Sequence, residues 1–141
     1  MSVVPNIATA EQYALFKAYL SARHADGEME KMTFEEYRAM IEDSPIETVL
    51  AELREQDRLI AVMLVDVLDD GLSAVYSFFD PEMNKRSLGT FMILELIRLT
   101  KERELPYVYL GYLIRGLSNM AYKERFKPLE YYVDGEWKNN A

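Results

Sequence analysis

The feature that most constrains this chain is the run from Leu59 to Leu68, LIAVMLVDVL, nine apolar residues and one acid with no turn residue inside. A strand this apolar on both of its alternating faces has to be covered on both faces, so it predicts a central strand with helical layers above and below. Its single acid, Asp66, falls on strict alternation with Ile60, Val62 and Leu64. It is either a hydrogen-bonded structural carboxylate or a functional one.

The neighbours of this run supply the rest of a sheet. Thr48 to Leu53 predicts a short strand before it, and Asp70-Gly71 a hairpin turn after it. That turn leads into a strand over Leu72 to Phe79, with Ala74, Tyr76 and Phe78 on one face and Ser73, Val75, Ser77 and Phe79 on the other. Helices come first in the chain. Thr9-Ala-Glu-Gln12 and Thr33-Phe-Glu-Glu36 both read as capping boxes, predicting helices to about Ala22 and over about Phe34 to Glu42. The first presents Tyr13, Phe16, Tyr19 and Leu20 at helical spacing. The second stops near Asp43-Ser44-Pro45, where the residue before proline leaves the helical region. Between them, Arg23 to Met32 is polar, holds the turn pair Asp26-Gly27 and reads as a loop, with His24 a surface residue rather than a catalyst.

Asp80-Pro81 ends the third strand, and Arg86-Ser-Leu-Gly-Thr90 leads into a helix to about Glu104. Leu88, Met92, Leu96 and Leu99 form its apolar stripe, and Glu95, Arg98 and Glu102 a polar one. A strand follows at once over Leu105 to Tyr112, so strand, helix and strand make a parallel crossover of right-handed sense. Then come the breaker Arg115-Gly116 and a short helix capped by Ser118 or Asn119 and stopped by Pro128. The last segment, Leu129 to Lys138, predicts a strand with a turn or bulge at Asp134-Gly135 and holds the sole Trp, Trp137. The expected fold is mixed α/β, a central sheet flanked by helices in one domain spanning residues 1–141.

Composition narrows the chemistry. The 141 residues include no Cys and one His, which removes disulfides, thiolate nucleophiles, Cys-based metal sites and a His-based triad. Catalysis must rest on carboxylates, Tyr, Lys, Arg, backbone groups or the substrate. No apolar run nears the roughly 20 residues that cross a bilayer, and the first residues lack a signal core, so the cytoplasm is expected. The net charge is −8, yet residues 85–127 carry nine Lys or Arg against four Asp or Glu. That imbalance predicts a cationic surface on an acidic body, unless these charges are ordinary solvated helix faces.

Helices, an antiparallel meander, a helical crossover and a diverging strand follow the order seen in the acyltransferase fold of CoA-dependent N-acetyltransferases. Arg86-x-x-Gly89-x-Phe91 stands where that fold keeps its phosphate-binding turn. Phe91 occupies its final small position, where a side chain crowds the backbone approach a pyrophosphate needs, so no cofactor is expected. More specifically, Asp70 to Pro81 (DGLSAVYSFFDP), Arg86 to Thr90, Leu105-Pro-Tyr, Tyr109-Leu-Gly-Tyr112 and Met120 to Pro128 together resemble the C-terminal domain of the aminoacyl-tRNA–protein transferases. These are the arginyltransferases and the bacterial aspartate/glutamate leucyltransferases of the N-degron pathway. The resemblance spans nearly the whole chain. It implies transfer of leucine or arginine from charged tRNA to proteins that begin with Asp or Glu. Members of the family carry a further, N-terminal domain with a Cys cluster, so the resemblance implies the C-terminal transferase domain of a longer protein or a stand-alone relative.

The residue chemistry agrees with that implication. An α-amine has a pKa of about 7.7–8, so its deprotonation is cheap at neutral pH, whereas holding amine and ester together is worth about 7–11 kcal/mol. Catalysis then needs positioning more than a strong base. Asp66 is the candidate to hold the amine or take its proton, and Tyr76, Tyr109 and Tyr112 to line the pocket and donate to the ester oxygen. Arg86, Lys123 and Arg125 are the candidate cations for the acidic N-terminal side chain. Ser87, Gly89, Thr90, Gly111 and Tyr122, which lie in or beside the family-like segments, complete the expected substrate-binding set, with Arg86, Tyr112 and Lys123 facing one cleft. Two other readings remain open, a CoA-dependent N-acetyltransferase and a non-catalytic recognition domain for acidic protein N-termini.

Overall fold

The computed structural model describes residues 1–23, 31–113 and 120–139, the side chains of residues 84–86 excepted. The chain forms two compact units, Met1–Gly111 and Tyr112–Ala141.

The first unit is built on a five-stranded sheet in sequential order. Its strands are β1 (Ser2–Pro5), β2 (Thr48–Glu55), β3 (Arg58–Val67), β4 (Gly71–Phe79) and β5 (Tyr107–Tyr109). The first four pair antiparallel, and β5 lies parallel to β4. The apolar run is the central strand, as its composition requires, with Leu59 through Leu64 and Val65 all buried. Helices α1 (Ala10–Arg23) and α2 (Phe34–Glu42) start where the capping boxes place them. Gln12 N–H donates to Thr9 Oγ1 at 3.2 Å and Thr9 N–H to Gln12 Oε1 at 3.2 Å, and Thr33 and Glu36 exchange the same bonds. Both helices pack on one sheet face. Phe16 meets Phe78 edge to face at 5.3 Å and Tyr76 at 6.1 Å, and Tyr37 meets Phe78 at 6.2 Å.

A polar network sits inside this layer. The buried Tyr37 hydroxyl donates to Gln12 Oε1 at 3.0 Å, and Gln12 Nε2 donates to Glu52 Oε2 at 3.2 Å. Burial, with the Glu52 carboxylate nearby, pushes the Tyr37 phenol above its usual range, so it stays neutral and every buried polar side-chain atom among the described residues has a partner.

Helix α3 (Leu88–Glu102) is the crossover from β4 to β5 and buries Leu88, Met92, Ile93, Leu96 and Thr100. Thr100 rather than Leu99 closes the buried stripe, its hydroxyl satisfied by the Leu96 carbonyl at 2.7 Å. The polar stripe is an ion-pair ladder in which Arg98 bridges Glu95 and Glu102. Between β4 and α3 a 3-10 helix covers Pro81–Arg86, opened by the buried Asp80, whose carboxylate accepts the Glu82 N–H at 2.9 Å and pairs with Arg58.

Several expectations are corrected. Strand β1 has no counterpart in the sequence reading, because four residues ending in proline give too little alternation to register. The strand expected over Leu105 to Tyr112 is only three residues long. The helix expected before Pro128 is a five-residue 3-10 turn, Ala121–Arg125. The last segment does not join the central sheet. It folds on itself as a ribbon of β6 (Tyr131–Val133) and β7 (Glu136–Lys138), with Asp134 and Gly135 both at positive φ in the turn. The loop holding His24 and Asp26-Gly27, the breaker Arg115-Gly116 and the caps Ser118 and Asn119 lie outside the described residues.

Register also changes which side chains share a face. In the β3–β4 ladder Leu64 pairs with Tyr76 but Val65 pairs with Ala74, so Val75 is an extra residue in β4. This bulge breaks the alternation. Ala74 moves to the α3 side, and Ser73 joins Tyr76 and Phe78 on the side of α1.

The β4–β5 contact is unusually close. A Cβ on Gly71 would lie 2.3 Å from the Tyr107 carbonyl oxygen. Replacing Gly71 with Ala should therefore lower stability by about 1–3 kcal/mol, the usual cost of forcing atoms into a packed site. Urea denaturation checks this, and an unchanged midpoint would contradict the account.

Candidate active site

Parallel pairing of β5 with β4 covers only Gly71–Tyr107, Leu72–Val108 and Ser73–Tyr109. Beyond Ser73, β4 runs on to Phe79 while the chain leaves at Leu110, so the β4 edge facing β5 opens at Ala74. The bulge lies at the same point. Together they leave an indented rim of strand whose main-chain groups have no ladder partner among the described residues.

Across the sheet at this level runs one row of polar side chains. Thr48 pairs with Asp66, Asp66 with Ser73, and Ser73 with Tyr109, so the four share one face on four successive strands. Directly opposed residues hold their Cβ atoms about 4.5–5.5 Å apart, close enough for one small substrate group to touch two or three of them. Thr48 Oγ1 donates to Asp66 Oδ1 at 2.9 Å and lies 2.8 Å from Ser44 Oγ, which fixes one carboxylate oxygen. Among the described residues no donor reaches Asp66 Oδ2. The carboxylate is thus braced from one side and open on the other, the arrangement that suits an ammonium or an N–H.

The tyrosines divide by role. Tyr76 is half-buried between Phe16 and Phe78, and burial is the main cause that pushes its phenol up to about 12. It is a neutral donor throughout the physiological range. Tyr109 donates to Asp70 Oδ2 at 2.7 Å, and that bond raises its phenol to about 12. Its proton is committed to Asp70, so what it offers a ligand is an acceptor oxygen. Tyr112 stands in the second unit and is 87% exposed.

At the start of α3, Ser87 takes the left-handed conformation, φ 52° and ψ 47°, and makes no side-chain cap. The amides of Leu88, Gly89 and Thr90 therefore lack a capping side chain, and the first helical bond is Phe91 N–H to the Ser87 carbonyl at 3.0 Å. A Cβ on Gly89 would meet only Phe79, at 3.8 Å. Phe91 lines a cavity of 180 Å³ with Leu53, Arg54, Glu55, Ile60 and Leu88.

In the second unit, Lys123 Nζ donates to the Tyr112 carbonyl at 2.8 Å, and burial draws its pKa below the ordinary lysine value. Tyr122 packs edge to face on Phe126 at 6.5 Å. Arg125 is exposed and has no carboxylate partner among the described residues. Gly111 adopts φ 82°. The Arg86 side chain lies outside the described residues, and with it the expectation of one cleft shared by Arg86, Tyr112 and Lys123. The cationic segment is uneven too, since Arg98 is consumed by its two glutamates.

Sequence reasoning missed Thr48, Ser73 and Asp70. Strict alternation placed Ser73 on the wrong face, and only the bulge at Val75 corrects it. Asp70 was read as a turn residue, which it is, but its carboxylate also fastens Tyr109.

Strand order, helices on both faces and the opening between β4 and β5 define an N-acetyltransferase-like α/β fold. The chain superimposes on an aminoglycoside antibiotic 6′-N-acetyltransferase from Acinetobacter baumannii with a TM-score of 0.51 and 14% identity, covering 88% of this chain and 87% of that one. Residues 11–133 match the family described as Arginine-tRNA-protein transferase, C terminus, and the chain belongs to that family. It is 57% identical over 135 residues to the aspartate/glutamate leucyltransferase of Gluconacetobacter diazotrophicus, covering 95% of this chain and 52% of that protein. It is 50% identical over 141 residues to the protein of the same name from Paramagnetospirillum magneticum, covering 99% and 58%. The chain thus spans about half the length of the curated relatives it matches. Among the described residues no helix is long and apolar enough to cross a membrane.

The Tyr109–Asp70 bond sets a titration. An ordinary tyrosine ionises near 10, so the bond favours the folded state below that pH, and its contribution is lost as pH rises through about 12. In Asp70→Asn the Tyr109 ring signal, followed by NMR in Tyr-labelled protein, should titrate closer to 10. An unshifted signal would show that Asp70 does not hold the phenol.

Proposed function

We propose that this chain is the transferase domain of an aminoacyl-tRNA–protein transferase. It moves leucine, or arginine, from the ester of its charged tRNA to the α-amine of a protein beginning with Asp or Glu. Membership of the family over residues 11–133 carries the reading, and the similarity to aspartate/glutamate leucyltransferases favours leucine. Such a reaction serves to mark proteins for degradation through their N-termini, and its donor is found in the cytoplasm.

The chemistry needs little beyond placement. The amine nitrogen attacks the ester carbonyl carbon, the new C–N bond forms as the C–O bond to ribose breaks, the nitrogen gives up a proton and the ribose oxygen gains one. In this reading Asp66 receives the α-ammonium on its open Oδ2 and accepts the proton. Ser73 and the neutral Tyr76 hydroxyl donate to the carbonyl oxygen as it gains charge. Tyr109 walls the site and accepts from the incoming amine. The uncapped amides of Leu88, Gly89 and Thr90, with Ser87 and Arg86 beside them, are proposed to receive anionic groups of the substrates. In the second unit Tyr112, Tyr122, Lys123 and Arg125 are proposed contacts for the RNA, Arg125 being the exposed cation with no carboxylate partner among the described residues.

The test supplies the protein with charged tRNA and peptides that begin with Asp, Glu or Ala. Transfer to the acidic peptides alone is expected, with kcat/KM reduced about 100-fold in Asp66→Asn, a substitution that keeps an oxygen for Thr48. No transfer from Leu-, Arg- or Phe-tRNA would sink the proposal, and undiminished activity in Asp66→Asn would remove Asp66 from it.

A further inference from the structure

The last residue of α1 is an exposed arginine seated on two buried rings. The Arg23 guanidinium carbon lies 5.3 Å from the centre of the Tyr19 ring and 5.0 Å from that of Phe79, and Nη1 donates to the Tyr19 hydroxyl at 3.2 Å. The two rings meet edge to face at 5.1 Å and both are buried. The seat is thus part of the packed core, and it holds the guanidinium in one place.

Its charge is not matched by an acid. A guanidinium carries five N–H donors, and among the described residues Tyr19 alone accepts from Arg23. Four other arginines of the first unit are paired: Arg38 with Glu42, Arg54 with Glu11 and Glu52, Arg58 with Asp80, and Arg98 with Glu95 and Glu102. Arg103, exposed at the C-terminal cap of α3, also lacks a carboxylate among the described residues, but no ring among them seats it.

The seat adjoins the candidate site. Phe79 ends β4 three residues after Tyr76, and Phe16, one helical turn before Tyr19, meets the Tyr76 ring at 6.1 Å. Burial first, and Tyr19 after it, push the Tyr76 phenol up, while the Arg23 charge opposes that rise. The fixed charge that reaches this hydroxyl is therefore positive.

We infer that Arg23 is the specificity-determining cation, the group that receives the side-chain carboxylate of the acceptor's first residue. The inference rests on the proposed transferase reaction, in which Tyr76 donates to the ester carbonyl. The acceptor's first side chain branches from the carbon that bears the attacking nitrogen, so its carboxylate has to lie close to that carbonyl. A guanidinium offers a carboxylate two parallel, charge-assisted N–H bonds, whereas an Asn side chain has one oxygen and no charge to accept them.

Two measurements use the same peptides, identical but for a first residue of Asp, Asn or Lys. Calorimetry on the protein without tRNA reads binding, and initial rates with charged tRNA read transfer. The Asp peptide is expected to bind at least about tenfold more tightly than the Asn peptide. Arg23→Gln should abolish that difference and Arg103→Gln should keep it, with circular dichroism verifying that each variant folds. Arg23→Glu should turn the preference toward the Lys peptide, a reversal that a merely structural arginine would not produce. Equal binding of the Asp and Asn peptides, or binding of neither, overturns the inference. A preference for Asp that survives Arg23→Gln overturns it too. Acid-selective transfer that is unchanged in Arg23→Gln removes Arg23 and leaves the transferase reading standing. Acid-selective binding that depends on Arg23, in a protein that transfers no amino acid, supports the cation and removes the transferase reading.

Discussion

The close approach of Gly71 to the main chain of Tyr107 is the constraint on which the rest of the first unit depends. Without a side chain at that position β5 can lie against β4, and the pairing then puts Tyr109 beside Ser73 and brings its hydroxyl to Asp70. Pairing ends after three residues, and the extra residue Val75 turns the β4 alternation over at the same level. A tight start, a short ladder and a bulge thus leave the sheet open where Asp66, Ser73, Tyr76 and Tyr109 stand on one face. The opening comes from backbone geometry; the chemistry comes from what the strands place beside it.

That division explains what could be read in the residues. The capping boxes of α1 and α2, the apolar central strand and the stripes of α3 are local patterns, and each is found where its residues predict it, save that Thr100 takes the buried place expected for Leu99. Asp66 was also legible, as the one acid in an apolar run. Ser73 was not, because a single inserted residue has no signature of its own in an isolated strand and yet moves every side chain before it to the other face. The ribbon of β6 and β7 was half legible: Asp134-Gly135 announces a turn, but nothing local tells whether two short strands will join a larger sheet or pair only with each other. Proline at the end of β1 hid that strand in the same way.

Electrostatics refine the roles within the row. Thr48 holds one oxygen of Asp66 and leaves the other open, so the carboxylate is oriented without being neutralised. Tyr76 and Tyr109 both have phenols pushed to about 12, but for different reasons, burial in the first and a carboxylate partner in the second. Only Tyr76 keeps its proton for a substrate. A reaction that joins an amine to an activated ester asks for one oriented carboxylate, one neutral donor and a place to hold both reactants, and the row together with Tyr76 on the same face contains those groups.

The central claim is that this row, rather than another surface of the chain, receives the aminoacyl ester. Backbone-amide NMR of the protein titrated with a stable amide-linked analogue of the 3′-leucyl-adenosine end tests it most directly. The account predicts that the largest shift changes fall at Asp66, Ser73, Tyr76 and Tyr109. Changes confined to the opposite edge of the sheet, around β1 and the start of α1, would contradict it.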